Sequence, residues 1–324
     1  PDVLQGRIFY QPSEQGFEAS IQENVSRNRE AQLAAFFSQT ASEQSGGSIY
    51  WEARTLDSSG ELLNEFRDHL TEWSEISRNT LALVLNAGEG LLLGEFLRRI
   101  SEENVYALVE SSNEKKILGT LFKKTTSGIE AKIAVDSSGC PASFEIADLR
   151  FERIVGRNVL QKHADKSGFL ETLKPWISAD GFFVFGETVP ALGQRLSDLI
   201  PEELLEPDFR KKLKAAEKEI YLDEENVRSS WTPSTLRDEL KGANWNIIRW
   251  QVKEYCIPTM IRTEQIEQWF PSHQDSPHSS YGQRLSAYFS PEQLNNLRET
   301  FRNEVAGTVV EWHSVSLFMQ LNQK

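Results

Sequence analysis

Cysteine is almost missing from this chain: there are two residues, Cys140 and Cys256, in 324. They fit no metal-ligand spacing and no disulfide framework. That excludes a disulfide-stapled secreted scaffold and a thiolate metal centre, and it points to a reducing, cytoplasmic home. No apolar run approaches the roughly 20 residues needed to cross a bilayer, so no membrane span is expected. No basic region followed by an apolar stretch opens the chain, so no export signal is expected either. The chain starts at Pro1 instead of Met and its opening reads as mid-protein, which suggests a fragment or a processed product. Positive charge is also in deficit: 35 Lys and Arg stand against 48 Asp and Glu, a formal net charge of −13. Such a chain is repelled by phosphate backbones. Its local basic clusters are Lys115, Lys116, Lys123 and Lys124, then Arg210, Lys211, Lys212 and Lys214. Acidic residues interleave with or flank both, so they read as solvated helix faces. Direct nucleic-acid binding by this chain alone is disfavoured.

What is present is an ordinary globular composition, 39% hydrophobic and 26% charged, over a length that allows a sizeable core. Residues 1–36 form one unit, a turn-rich opening followed by a polar helix from Phe17 to Phe36 with Ser13 as its expected N-cap. Residues 37–49, with SQTASEQSGGS at their centre, have linker composition. From 50 to 324 the pattern is that of one α/β domain. Leu62 to Trp73 reads as an amphipathic helix. LALVL (81–85), VYALV (105–109), IEAKIAV (129–135), RIVG (153–156) and GFFVFGE (181–187) read as buried strands alternating with helical segments. That alternation predicts βαβ units and a mostly parallel sheet. Two late strand-like runs, 245–255 and 307–321, bracket a helical insertion at 256–306. Its aromatic helix end, Trp269-Phe270, reads either as core of a hairpin on the sheet edge or as part of a lid.

The first strand runs into Asn86-Ala87-Gly88-Glu89-Gly90 and then into a helix. Strand, glycine turn and helix together make a nucleotide-type site: glycines let backbone approach a ligand, and the helix start offers free N–H groups. Glu110 ends the next strand, where an acid accepts from ribose hydroxyls. A dinucleotide pattern would need glycine at 93, and that residue is Leu93.

The later segments decide between ligands. LKPWISADGFFVFGE, FERIVGRNVL (151–160) and WTPSTLRDELKGANW (231–245), together with the glycine loop, resemble the motifs of class I S-adenosylmethionine (SAM) methyltransferases. The resemblance covers roughly residues 50–324. It implies a Rossmann-like sheet, mostly parallel, of seven strands with the last one antiparallel, and SAM as cofactor. Residue by residue it implies that Asn86, Gly88 and Gly90 carry the first motif and that Glu110 holds the ribose. Asp136 and Ser137 would sit beside the adenine, and Arg157 and Asn158, the catalytic candidates, would face the transferred methyl. Two positions depart from the family pattern: Asn86 stands for the usual Asp and Leu92 for the third Gly. Arg157-Asn158-Val159 is also similar to a tripeptide of chemotaxis receptor carboxyl methyltransferases, a hint at a protein acceptor. No N/D-P-P-Y/F tetrapeptide and no Pro-Cys dipeptide occur, which disfavours an ordinary DNA-base methyltransferase. Arg157 has a structural alternative, pairing with a carboxylate such as Glu187.

The opening residues carry a second resemblance. Pro1, Asp2, Leu4, Gly6, Phe9, Tyr10, Pro12, Gly16, Glu18, Ile21 and Arg29 fit the closing segment of the replication-associated recombination protein A family, AAA+ ATPases related to clamp loaders. The P-loop core of that family is absent. The resemblance implies the C-terminal part of a fusion known in cyanobacteria, with DNA replication, recombination and repair as its setting. Its own ATPase domain and replication-fork proteins would be its partners, and the N-terminal segment would be a place where copies associate. Two functions stay open: a methyltransferase with a protein or small-molecule acceptor, or a methyltransferase fold without chemistry that serves the ATPase as a docking or regulatory module.

Overall fold

The computed structural model describes residues 27, 60–125, 132–139, 141–144, 149–223, 226–271 and 280–323. The expected N-terminal unit and linker lie outside these residues, Arg27 excepted.

Helix α1 (Gly60–Trp73) leads into β1 (Ala82–Leu85), and α2 (Leu91–Arg99) into β2 (Val105–Val109). Then come α3 (Ser112–Thr125), β3 (Lys132–Val135), β4 (Phe151–Arg157), α4 (Lys166–Leu173) and β5 (Ile177–Thr188). The last third holds α5 (Pro207–Leu222), α6 (Pro233–Gly242), β6 (Trp245–Met260), the short helices α7 (Thr263–Trp269) and α8 (Tyr281–Leu285), α9 (Pro291–Thr300) and β7 (Val309–Gln323).

The strands form one seven-stranded sheet in the order β3-β2-β1-β4-β5-β7-β6. β1 to β5 pair in parallel, and β7 runs antiparallel to both of its neighbours. The chain therefore has the Rossmann-like class I methyltransferase fold. Both sheet faces are covered, and the period-2 alternation of strands divides the core accordingly. Leu83 and Leu85 of β1 face one side with Phe169, Leu170 and Leu236 of α4 and α6. Ala82 and Val84 face the other with Phe66, Phe96 and Leu118 of α1, α2 and α3. Each such large apolar side chain contributes about 1.5–3 kcal/mol through burial.

A third core stands apart. β5 pairs with β7 only from Phe183↔Leu321 to Thr188↔Ser316, while β6 and β7 stay paired out to Met260↔Val309. The long ribbon thus projects past the carboxyl ends of the parallel strands. Its outer part packs on α5, α7, α8 and α9 through Trp312, Ile266, Trp269 and Tyr281. β6 continues five residues beyond the expected strand end at 255, because its side chains alternate between half-buried and exposed as far as Met260. Trp269 and Phe270 are 1% and 6% exposed: they are core of this cap. The segment read as a polar loop lies, from 272 to 279, outside the described residues. Among the described residues no helix is long and apolar enough to cross a membrane.

Candidate functional site

The carboxyl ends of β1, β2 and β4 meet at one place, and the glycine loop shapes it. Asn86 leaves β1 in the left-handed region (φ 51°), a conformation its short amide side chain tolerates. One 3-10 turn follows, and Gly90 (φ 74°) returns the chain into α2. A non-glycine residue at 90 would be strained. Gly88 matters for a different reason. A Cβ there would lie 2.6 Å from Oε2 of Glu114, so the bare Cα is covered by that carboxylate. Glu114 sits in the first turn of α3, where its Oε2 accepts the backbone N–H of Glu110 at 2.9 Å. Burial raises its pKa and Glu89 adds to the rise, against a lowering by Ser111.

Glu110 ends β2 as expected, with 41% of its side chain exposed, and it is ion-paired with Lys162. The same ammonium reaches Oδ1 of Asn86 at 3.0 Å. Asn86 in turn donates from Nδ2 to the carbonyl of Arg157 at 2.9 Å, tying the ends of β1 and β4 together. Arg157 is 4% exposed, and its Nε donates to Glu89 at 3.0 Å. The structure thus gives Arg157 a partner from the glycine loop itself. Glu187, the partner considered from sequence, binds backbone instead, its Oε1 accepting the N–H groups of Val159 and Leu160 at 2.9 and 3.0 Å. Fully buried, with Oε2 unpartnered, it is pushed up to about 7, although those N–H groups and Lys166 pull it down.

Asn158 is left-handed (φ 52°), and its Oδ1 accepts from Thr188 N–H at 2.8 Å and from Gln161 at 3.0 Å. Its side chain shapes the loop after β4. Asp136 stands beside Glu110 in strand register, with its N–H on the Val109 carbonyl at 2.8 Å. Its Oδ1 accepts from Ser138 N–H at 2.7 Å, closing a local turn, and Ser137 is exposed. Behind this loop His163 stacks on Phe169 at 3.7 Å, and burial, with Lys162 and Lys166 nearby, lowers its pKa.

The structure therefore brings Asn86, Gly88, Gly90, Glu110 and Arg157 together, with Asp136 and Ser137 one strand further out. Sequence reasoning missed Glu89, Glu114 and Lys162. Glu114 had a faint signal, one helical turn after Glu110; Lys162, 52 positions away from its partner, had none. Among the described residues no group of three or more His, Cys, Asp or Glu is placed to hold a metal ion.

No family model matches the chain, and no curated protein matches it. Solved structures do. YcgJ of Bacillus subtilis is 14% identical, covers 80% of this chain and 98% of its own, and superposes with a TM-score of 0.48. Coclaurine N-methyltransferase, bound to N-methylheliamine and S-adenosylhomocysteine (SAH), is 14% identical, with 97% and 88% covered and a TM-score of 0.46. The [4+2]-cyclase SpnF is 10% identical, with 92% and 96% covered and a TM-score of 0.45. Likeness at this level concerns architecture; the fold assignment rests on the strand order.

Proposed function

We propose that this methyltransferase-like domain binds SAM over the carboxyl ends of β1 and β2 and transfers its methyl group to a protein or small-molecule acceptor. The observation that carries the reading is the 3-10 turn between left-handed Asn86 and Gly90 over bare Gly88, with Glu110 at the end of the adjacent strand. The backbone suits the ligand: a cradle without side chains, a helix start and an acid for ribose hydroxyls. What covers the cradle is the far end of one flexible side chain, Glu114. Glu110 would hold the ribose, Asp136 and Ser137 the adenine edge, and the backbone around Gly88 the amino-acid end. SAM supplies an already activated methyl on its sulfonium. The chain's part is alignment and exclusion of water. Arg157, locked on Glu89, fixes the wall toward β4, and Asn158 sets the shape of the loop that an acceptor would meet.

The chain-level reading extends the N-terminal resemblance: the domain is carried by a replication-associated AAA+ ATPase, in cyanobacteria, with that ATPase as partner. The eleven matching residues support this. Arg27 binds Asp68 at 2.6 Å and the buried Glu95 of α2 at 3.4 Å. A second reading, a docking module without chemistry, is favoured by the closed set Glu110–Lys162–Asn86. Calorimetry separates them. SAM should bind, and Glu110→Ala should weaken binding about 5- to 100-fold through lost ribose hydrogen bonds. Absence of binding to the unaltered chain favours the docking module.

A further inference from the structure

Two side chains at the site perform the chemistry of a ligand. The Lys162 ammonium donates to Glu110 and to Asn86 Oδ1. The Glu114 carboxylate lies against bare Gly88 and accepts the Glu110 N–H. Together they place a hydrogen-bond donor and a carboxylate on the surfaces that a ligand's ribose hydroxyls, ammonium and carboxylate would satisfy. The Lys162–Glu110 pair is not built in rigidly. The Lys162 side chain is 29% exposed and that of Glu110 41%; ion pairs at such exposure are weak. The pair beside them differs: Arg157 is buried on Glu89 and holds its place.

Resting on the reading of the domain as a SAM binder, we infer that Lys162 and Glu114 are stand-ins for the ligand, Lys162 for the donors that Glu110 and Asn86 would meet, the ribose hydroxyls and the ammonium, and Glu114 for the carboxylate of the amino-acid end. They keep the site's polar groups satisfied without ligand, and their displacement sets its affinity. The ligand class that exchanges with both is a nucleoside bearing a free amino acid, its ribose hydroxyls replacing Lys162 on Glu110 and its carboxylate replacing Glu114. A nucleoside without one meets Glu110 but has nothing to replace Glu114.

Calorimetry on the full chain tests this with two probes, SAH and 5′-methylthioadenosine, which lacks the amino-acid end. Lys162→Met should tighten SAH about two- to fivefold, opposite in sign to Glu110→Ala, although both break the same ion pair. Glu114→Ala should also tighten SAH and leave methylthioadenosine unchanged. Glu114→Gln, which keeps the cradle covered, should stay within about twofold of the unaltered chain and guards against a folding defect. If Lys162→Met weakens SAH as Glu110→Ala does, the pair is structural and the inference is overturned. It is equally overturned if Glu114→Ala tightens both probes alike. If SAH binds neither the unaltered chain nor any variant, the methyltransferase reading itself fails.

Discussion

The glycine loop and the helical cap on the β6–β7 ribbon are each built around a carboxylate, and they hold it in opposite ways. In the cap, Glu217 of α5 is 1% exposed. It accepts from Ser197 N–H at 3.0 Å, from the Ser197 hydroxyl and from Tyr281 OH at 2.8 Å. Three segments far apart in sequence are thereby fixed inside an apolar cluster. Burial raises the pKa of Glu217, and the hydrogen bonds from Ser197 and Tyr281, with Arg195, moderate the rise. At the glycine loop, Glu110 is half-exposed, and its partner is the end of a long lysine. The same functional group is a permanent joint in one place and an exchangeable contact in the other. Burial decides which, because a buried polar group that loses its partner has no water to turn to.

The largest expected effect breaks the permanent joint. Glu217→Ala strands two hydroxyls and an N–H in the core and should cost about 3–5 kcal/mol in denaturant unfolding. A loss below about 1 kcal/mol would show that the cap does not depend on it. SAM affinity should be little affected, since the cap core is separate from the glycine loop.

Glu187 sharpens the comparison, because it lies at the ligand end yet is buried as deeply as Glu217. Its pKa rises on folding from 4.5 to about 7. Between those values the folded chain binds more protons than the unfolded one, so this group's contribution to stability is complete below pH 4.5. It is lost as the pH climbs through 7, by roughly 3 kcal/mol at most. Glu187→Gln should flatten the pH dependence of the unfolding midpoint over that window. An unchanged slope would mean that water or motion relieves the buried carboxylate.

This division also explains what the sequence disclosed. Apolar runs such as VYALV are local, and the structure places β2 at the residues expected, Val105–Val109. The glycine loop and Glu110 were legible because spacing along one βαβ unit fixes where they meet. Lys162 was not, because no periodicity links it to Glu110; only the docking of β4 beside β1 brings them together. Arg157 taught the same lesson. Its pairing with a carboxylate was foreseeable, but the nearest carboxylate was set by the 3-10 turn that carries Glu89. The reach of β6 to Met260 was hidden because an edge strand does not need a continuous apolar run.

Hydrogen exchange with and without saturating SAH tests the central claim, a SAM-type ligand at the carboxyl ends of β1 and β2, most directly. Added protection is expected at the amides from Ala87 to Leu91 and from Glu110 to Glu114, with exchange in α7, α8 and α9 unchanged. Protection confined to the cap, or none at either end, would contradict it.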